Sequence, residues 1–434
     1  MKLSGTEMDM HRDAREKELF RFARDRVADV LIGYVAWLLQ EAEKKGIKRL
    51  YFLSRDGYIL KEIAHRFCKA AHLDIDCRYL YVSRISVSFP AICLRQEEVV
   101  DLDAITGEIF HQTPASFLKK CRLNEMDMQD VLQGTPYLSS LHQPLTSQDF
   151  LTFKQWAQGN DKLKELVRLR SEQALWLIQA YFVQEGLMEE NIVGIVDSGW
   201  QGVLQKNIRL VLDSMNYKGA LHGFYFGLFH APPEMTNYYH AWYFMPKRHL
   251  MRKVLFNSPL FETLVYAPHP MTTGYRADER GMILPDFEKT DTPRIMLPAI
   301  SVLNCGILRR ADDRLMPEAI SGFYDKRYVK KCMHSTLKIM ALPDSRQLSA
   351  LSLFSFCGDL LDGEQEPLVD DRITHLRHYT LFGRLWDHLR KKDKNADRLL
   401  WPFGTIGFCN GLKKAWYWMN YVICETAKRI ILHK

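Results

Sequence analysis

The chain is poor in the features that mark membrane-spanning, secreted or metal-clustered proteins. No run reaches the roughly 18 apolar residues needed to span a bilayer. Met1 to Lys17 is polar and charged, without the apolar core of a signal peptide. Nine cysteines are scattered and none forms a CxxC pair. Cys68, Cys77, Cys93 and Cys121 sit among apolar or helical residues, as buried reduced thiols do. His222, His230, His240, His249 and His269 lack metal-ligand spacing. No GxxxxGKS or GxxxxGKT run is present, which argues against a P-loop kinase. Internal repeats, low-complexity tracts and an aromatic-and-basic RNA module are missing too. The formal charge of +7 is too small to argue for nucleic acid, but it suits phosphorylated substrates or an anionic membrane surface. The expectation is a cytoplasmic protein, soluble or peripheral on the inner face of the membrane, with no nucleic-acid partner.

What is present is a globular composition, 47% hydrophobic and 26% charged, over 434 residues. That length favours two domains, or one domain with large insertions. Residues 14–45 read as a helix, with Leu19, Phe20, Ala23, Val27, Val30, Leu31, Tyr34, Leu38 and Leu39 at helical spacing and Lys44-Lys45-Gly46 as its stop. Strand 49–53, helix 58–72 and strand 78–82 then form a βαβ unit with parallel pairing. Residues 95–190 read as a helical insertion, with the best helices at 114–133 and 146–185. The sheet resumes with strand 192–196, helix 201–215 and β runs at 219–228 and 238–245. The aromatic run Tyr238 to Phe244 suits either sugar stacking or a strand with one buried face. A charged, proline-bearing linker is expected at 276–296, and the chain beyond about 285 reads as mainly helical. Asp101-Leu102-Asp103 and Asp312-Asp313 read as solvated loop pairs. The division is therefore 1–285 and 286–434. In the last helix, about 412–432, Leu412, Ala415, Trp416, Met419, Val422, Ile423, Ala427 and Ile430 share a stripe, with Lys413, Lys414, Lys428 and Arg429 largely off it. Such a helix either lies on a membrane or docks on its own domain.

Two strand–loop–helix joints carry the chemistry. The first is Leu50-Tyr51-Phe52-Leu53-Ser54-Arg55-Asp56-Gly57-Tyr58, and the second is Val193-Gly194-Ile195-Val196-Asp197-Ser198-Gly199-Trp200-Gln201-Gly202-Val203-Leu204. Open α/β sheets bind ligands beyond the carboxyl ends of their strands. Asp197 can accept protons from a ribose diol, Gly199 and Gly202 let the backbone approach a phosphate, and the N–H groups from about Gln201 to Leu204 can face it. An ordinary βα turn with a capping Asp is the alternative. Arg55, and Arg84 after the next strand, can clamp a pyrophosphate. Asp56 can hold Mg²⁺ through water, act as general base, or merely cap helix 58–72.

A strand-end acid with a glycine-bearing loop, plus an earlier strand-end loop with arginine, resembles the layout of type I phosphoribosyltransferases. The chain departs from that pattern at Ser198, where a second acid often stands, and at Gln201 and Val203, which replace threonines. The joints, together with Tyr79-Leu80-Tyr81-Val82-Ser83-Arg84 and Phe261-Glu262-Thr263-Leu264-Val265-Tyr266-Ala267-Pro268-His269 followed by Thr273-Gly274-Tyr275, resemble a narrower family. These are phosphoribosyltransferase-like glycosyltransferases of bacterial surface-polysaccharide (O-antigen and capsule) clusters, often fused to or encoded beside haloacid-dehalogenase-type phosphatases. The motifs cover about 15–275, and the C-terminal third matches loosely around Trp401-Pro402-Phe403-Gly404.

The resemblance implies a Rossmann-like parallel sheet with a helical insertion. It implies transfer of 5-phosphoribose from phosphoribosyl pyrophosphate to a hydroxyl of a lipid-linked glycan, with inversion to a β-ribofuranosyl product and a partner phosphatase to remove the 5-phosphate. Asp56 and Asp197 are then the catalytic and Mg²⁺-binding carboxylates. Substrate contacts fall to Ser54, Arg55, Gly57, Ser83, Arg84, Ser198, Gly199, Trp200, Gln201, Gly202, Glu262 and His269. Two other readings remain. A haloacid-dehalogenase hydrolase needs an Asp-x-Asp-Gly loop, and Ser54 occupies its nucleophile position. A non-catalytic phosphate-binding scaffold would explain the altered loop.

Overall fold

Helical spacing of apolar residues starts the fold, and the computed structural model describes residues 5–95, 102, 113–289, 292–356, 366–389 and 399–431. Helix α1 (Gly5–Phe22) continues through a π turn at Ala23–Val27 into α2 (Ala28–Lys44), so it begins well before the expected residue 14. The expected stripe is the buried one: Leu19, Val27, Leu31, Tyr34 and Leu38 are almost wholly enclosed. Gly46, at φ +68°, ends the helix at the expected stop.

Strand β1 (Arg49–Leu53), α3 (Gly57–Ala71) and β2 (Asp76–Leu80) form the expected βαβ unit. The second strand lies two residues upstream of 78–82. Its polar start escapes an apolar pattern, because Asp76 pairs with Arg49 Nε at 3.1 Å and Arg78 Nε at 2.7 Å. At its other end Leu80 O accepts from Ser54 N–H, and Tyr81 and Val82 leave the sheet. A short helix α4 (Arg84–Ser88) follows, capped by Ser83.

The insertion folds as α5 (Pro114–Lys120), α6 (Glu125–Leu132), α7 (Ser147–Gly159) and α8 (Asp161–Gln184). Its described residues are helical or turn, as expected, but each long helix is split. Arg122 at φ +66° and the capping box of Asn124 with Asp127 break the first. Asn160 caps α8 directly after α7 ends. Phe117, Phe150, Phe153, Leu163 and Val167 belong to a separate small core. Asp101 and Asp103 lie outside the described residues.

Strand β3 (Ile192–Trp200), α9 (Val203–Ser214), β4 (Ala220–Leu228) and β5 (Tyr239–Phe244) complete an all-parallel sheet of order β2-β1-β3-β4-β5. The aromatic run is thus a strand, with Trp242, Tyr243 and Phe244 buried. β3 runs four residues past the expected end, because β4 still offers partners: Asp197 opposite Tyr225, Gly199 opposite Gly227 and Trp200 opposite Leu228. Alternation along β1 splits the core. Leu50 and Phe52 face α2 and α3, whereas Tyr51 and Leu53 face Ile178 and Phe182 of α8 and Val211 of α9. With α3 on one face and α9 on the other, chain direction across the sheet reverses between β1 and β3.

Helices α10 (Leu250–Val254) and α11 (Ser258–Leu264) lead to an antiparallel hairpin, β6 (Thr272–Ala277) and β7 (Ile283–Phe287). The hairpin replaces most of the expected 276–296 linker. Thr272, Tyr275 and Ile283 point in, which charge and proline content alone does not register. The rest is mainly helical, as expected: α12 (Thr292–Arg314), α13 (Lys326–Ala341), α14 (Ser345–Leu351), α15 (Leu381–Leu389), α16 (Pro402–Gly407) and α17 (Gly411–Ile431). Asp312 and Asp313 sit on α12 rather than in a loop, and Asp312 pairs with Arg66 at 2.7 Å. Leu303 of α12, Ile339 of α13 and Trp401 share one hydrophobic cluster with α2. Asp29 of α2, itself buried, receives Arg310 of α12 through two bonds of 3.1 and 3.2 Å. No described helix is long and apolar enough to cross a membrane.

Gly199 is the tightest point of the sheet. Its φ is +117°, and a Cβ there would stand 2.2 Å from Gly227 O on β4. Gly199→Ala is expected to destabilise the protein by roughly 2–4 kcal/mol, read as a lowered urea midpoint.

Candidate functional site

Both joints end at the reversal between β1 and β3, because the two strands pair in parallel with Leu50 opposite Gly194 and Phe52 opposite Val196. Asp56 follows β1 and Asp197 follows the apolar run of β3. Neither caps a helix. Asp56 precedes α3 with no side-chain bond to it, and Asp197 lies within β3 while Gly202, at φ +65°, starts α9 without a side-chain cap. The turn-and-cap alternatives therefore do not describe these two carboxylates. Gly57 serves packing. A Cβ there would meet the Phe52 carbonyl carbon at 2.6 Å, so its absence lets α3 start directly against β1.

Glu262 of α11 joins the two aspartates. All three keep some solvent exposure yet are densely surrounded, and dehydration is the largest influence on each. Burial, and then repulsion from Asp56, push Asp197 up to about 8 and Glu262 up to about 7. Asp56 is raised as well, by burial, against the pull of Ser198, Arg55 and Arg84. Arg84 is the common counter-charge, lowering all three, while Arg55 lowers Asp56 and Glu262. Ser198 Oγ is buried with no partner at hydrogen-bonding geometry, although it lies close enough to Asp56 to oppose the effect of burial. The fold thus gathers Arg55, Asp56, Arg84, Asp197, Ser198 and Glu262 from four separate sequence segments.

The remaining expected contacts have other work. The Ser54 hydroxyl donates to Val82 O at 2.8 Å, and the Ser54–Arg55 peptide is cis. The Ser83 hydroxyl accepts from Ser86 N–H and donates to Thr272 O at 2.6 Å, fastening the hairpin over the ends of β1 and β2. Trp200 adopts φ +78° and its indole N–H donates to Glu262 Oε1 at 2.7 Å. The ring sits among Phe229, Phe256 and Phe261, so it orients Glu262 rather than offering a stacking face. His269 is neutral and held. Pro270 O can only accept, at 2.8 Å from Nδ1, which leaves Nε2 to accept from the Tyr79 hydroxyl at 2.7 Å. Burial lowers its pKa, and Arg55 adds to that. Gln201 is exposed in the turn before α9.

Three residues take roles that the sequence does not show. Tyr266 holds Arg55, accepting from its guanidinium at 2.5 Å with the cation 4.5 Å from the ring centre. Tyr34 of α2 donates to Phe224 O at 3.0 Å and reaches Asp197 O at 3.4 Å from beneath the sheet. Arg122 of the insertion donates to Thr273 O, tying that subdomain to the hairpin. Each joins segments far apart in the chain, so no local pattern marks it.

No group of three or more His, Cys, Asp or Glu among the described residues is close enough to form a metal cage. Mg²⁺ does not demand one, since it is commonly held by one or two carboxylates with substrate phosphates and water. Crowded carboxylates beside the orphaned Ser198 hydroxyl fit that mode.

Raised carboxyl pKa values predict an inverse pH effect on stability. Asp197 keeps its proton in the folded state up to about pH 8, whereas an unfolded chain loses it near about pH 4. The unfolded state then binds fewer protons across that window, so this group's contribution to stability falls as pH rises. Asp197→Asn is expected to melt above the wild type, with an advantage that grows from about pH 4 to about pH 8, is then constant, and is at least on the order of 1 kcal/mol. Thermal melts of both proteins across pH check it.

No family model matches the chain, and no curated protein matches it significantly.

Proposed function

We propose that the protein transfers 5-phosphoribose from phosphoribosyl pyrophosphate to a sugar hydroxyl of a lipid-linked polysaccharide, on a fold of the phosphoribosyltransferase type. The observation that carries this reading is the convergence of Asp56, Asp197, Glu262, Arg55 and Arg84 at the β1/β3 reversal. Carboxylates that repel one another beside two guanidinium groups suit a ligand carrying both hydroxyl donors and phosphates, with a divalent cation between.

Arg55 and Arg84 bind the pyrophosphate. Asp197 accepts hydrogen bonds from the ribose hydroxyls. The uncapped N–H groups at the start of the twelve-residue α9 face the 5-phosphate. When bound through Asp56 or Asp197, Mg²⁺ supplies charge neutralisation for the departing pyrophosphate. The acceptor oxygen approaches C1 from the face opposite the pyrophosphate. Its bond to C1 forms as the C1–O bond to pyrophosphate breaks, and pyrophosphate leaves with the electron pair. The acceptor proton passes to the Asp56–Asp197 pair. An α donor gives a β product, which a partner phosphatase then dephosphorylates.

A haloacid-dehalogenase reaction is disfavoured. Ser54, at the nucleophile position, is a neutral hydroxyl already donating to Val82 O. It cannot form an aspartyl phosphate.

Incubating the protein with radiolabelled phosphoribosyl pyrophosphate, Mg²⁺ and a synthetic glycan acceptor tests the reading. Transfer with stoichiometric pyrophosphate release is expected, and Asp197→Ala and Asp56→Asn are each expected to lower kcat by about 10²–10⁴. Donor binding without pyrophosphate release would instead indicate a scaffold, and phosphate release would indicate a hydrolase. Because the proton acceptor must be ionised, kcat/KM is expected to rise with pH toward about 8, and Asp197→Asn should abolish that dependence if Asp197 is the acceptor.

A further inference from the structure

The helix that follows the first joint brings one thiol over another. Cys68 lies in the last turn of α3, and Cys77 is the second residue of β2. Parallel pairing sets Cys77 opposite Leu50, whose side chain faces α2 and α3, so Cys77 sits on the face that α3 covers. One contact fixes the helix there, with His65 Nε2 2.7 Å from Cys77 O. Cys68 follows His65 by three residues and so shares its side of the helix. The two thiols are accordingly within hydrogen-bonding reach of each other. Both belong to the main hydrophobic cluster, yet neither is fully sealed, with Cys68 8% and Cys77 6% exposed. Cys305 of α12, by contrast, is an exposed thiol.

We propose that Cys68 and Cys77 form a reversible disulfide when the protein meets a peroxide. The two thiols differ in the way such a reaction needs. Contact with Cys77 lowers the pKa of Cys68, against the effect of burial. Contact with Cys68, and then burial, raise that of Cys77. The thiolate is the nucleophile, so Cys68 reacts first. Its sulfur takes one peroxide oxygen as a sulfenic acid, and the O–O bond breaks. The departing hydroxide takes up the proton that the thiol released and becomes water. The Cys77 sulfur then attacks the sulfenic sulfur. The S–S bond forms, the S–O bond breaks, and the displaced hydroxyl leaves with the Cys77 proton as a second water. Two thiols are oxidised and one peroxide is reduced to two waters. The pair stands where β2 begins, whereas the site lies where the strands end. The link therefore fastens α3 to β2 without touching Arg55, Asp56 or Arg84, and it closes a short 68–77 loop in the unfolded chain. Nothing in this pair depends on the reaction proposed above.

Mass spectrometry of the full chain tests it, after treatment with hydrogen peroxide, alkylation under denaturing conditions and digestion without reductant. A 68–77 linkage is expected, removed by dithiothreitol, with Cys305 as the exposed reference thiol. The linked form is expected to melt roughly 2–6 °C above the reduced one. Cys77→Ala is expected to leave Cys68 as a sulfenic acid that dimedone traps. Cys68→Ala is expected to leave Cys77 as a free thiol under the same treatment. Circular dichroism melts check that both variants fold, and the wild-type linkage is read without them. Cys68 and Cys77 recovered as alkylated thiols, at a peroxide dose that oxidises Cys305, would overturn the inference. So would a linkage of either residue to a different cysteine, or a 68–77 linkage that dithiothreitol leaves in place.

Discussion

Parallel pairing of β1 with β3 is the constraint on which the site depends. Those strands are separated in sequence by α3, β2 and the helical insertion, yet Leu50 lies opposite Gly194 and Phe52 opposite Val196. Once that register is set, the turn after β1 and the end of β3 must emerge side by side. β4 reinforces the arrangement by pairing with β3 for four residues beyond the apolar run, which carries Asp197 and Ser198 out on a strand rather than a loop. A strand paired along one edge positions a carboxylate more firmly than a turn does, and Tyr34 steadies the same segment from beneath.

Such firmness has an electrostatic consequence. Asp56 raises the proton affinity of both Asp197 and Glu262, Glu262 raises that of Asp197, and only Arg84 opposes all three. A fold selected for stability alone would replace at least one of them by a neutral side chain. Their retention, with the Ser198 hydroxyl left without a partner, has the character of a site completed by a ligand that brings positive charge and hydroxyl donors. The surrounding residues serve that arrangement. Trp200 aims Glu262, Tyr266 holds Arg55, and the hairpin is fastened through Ser83.

The sheet is legible in the sequence because its strands are short apolar runs ended by polar residues and glycine. So is the pairing of the two joints, since each shows the same change from strand to helix. The hairpin at 272–287 is not legible. Only Thr272, Tyr275 and Ile283 of its strands are buried, too few and too irregularly spaced to mark a strand among the charges and proline that suggest a linker. Ser54 and Ser83 suggest ligand contacts, and the fold also gives their hydroxyl protons to Val82 O and Thr272 O, partners that only the tertiary structure supplies. Trp200 suggests a substrate contact by its place in the loop, and its ring instead lies in an aromatic cluster assembled from β4 and the region around α11. Local patterns find where a strand ends. They do not find which side chains the neighbours will occupy.

The same distinction governs the C-terminal helices. Sequence spacing on the last helix allows a docked face or a lipid-facing one, as though these were exclusive. The fold makes them compatible, because an apolar residue on a helix can point to either of two opposite sides. Tyr421 and Cys424 use one side for packing, and Trp416, Met419 and Ile423 leave the other outward. A helix of this kind needs no hinge or rearrangement to meet a second apolar phase, since docking has already fixed its orientation. α15 arrives at the same end by a different route, as a short helix whose polar side is spent on Glu425 and His378. Two elements that turn their polar contacts inward and leucine, phenylalanine and isoleucine outward reverse the usual surface rule.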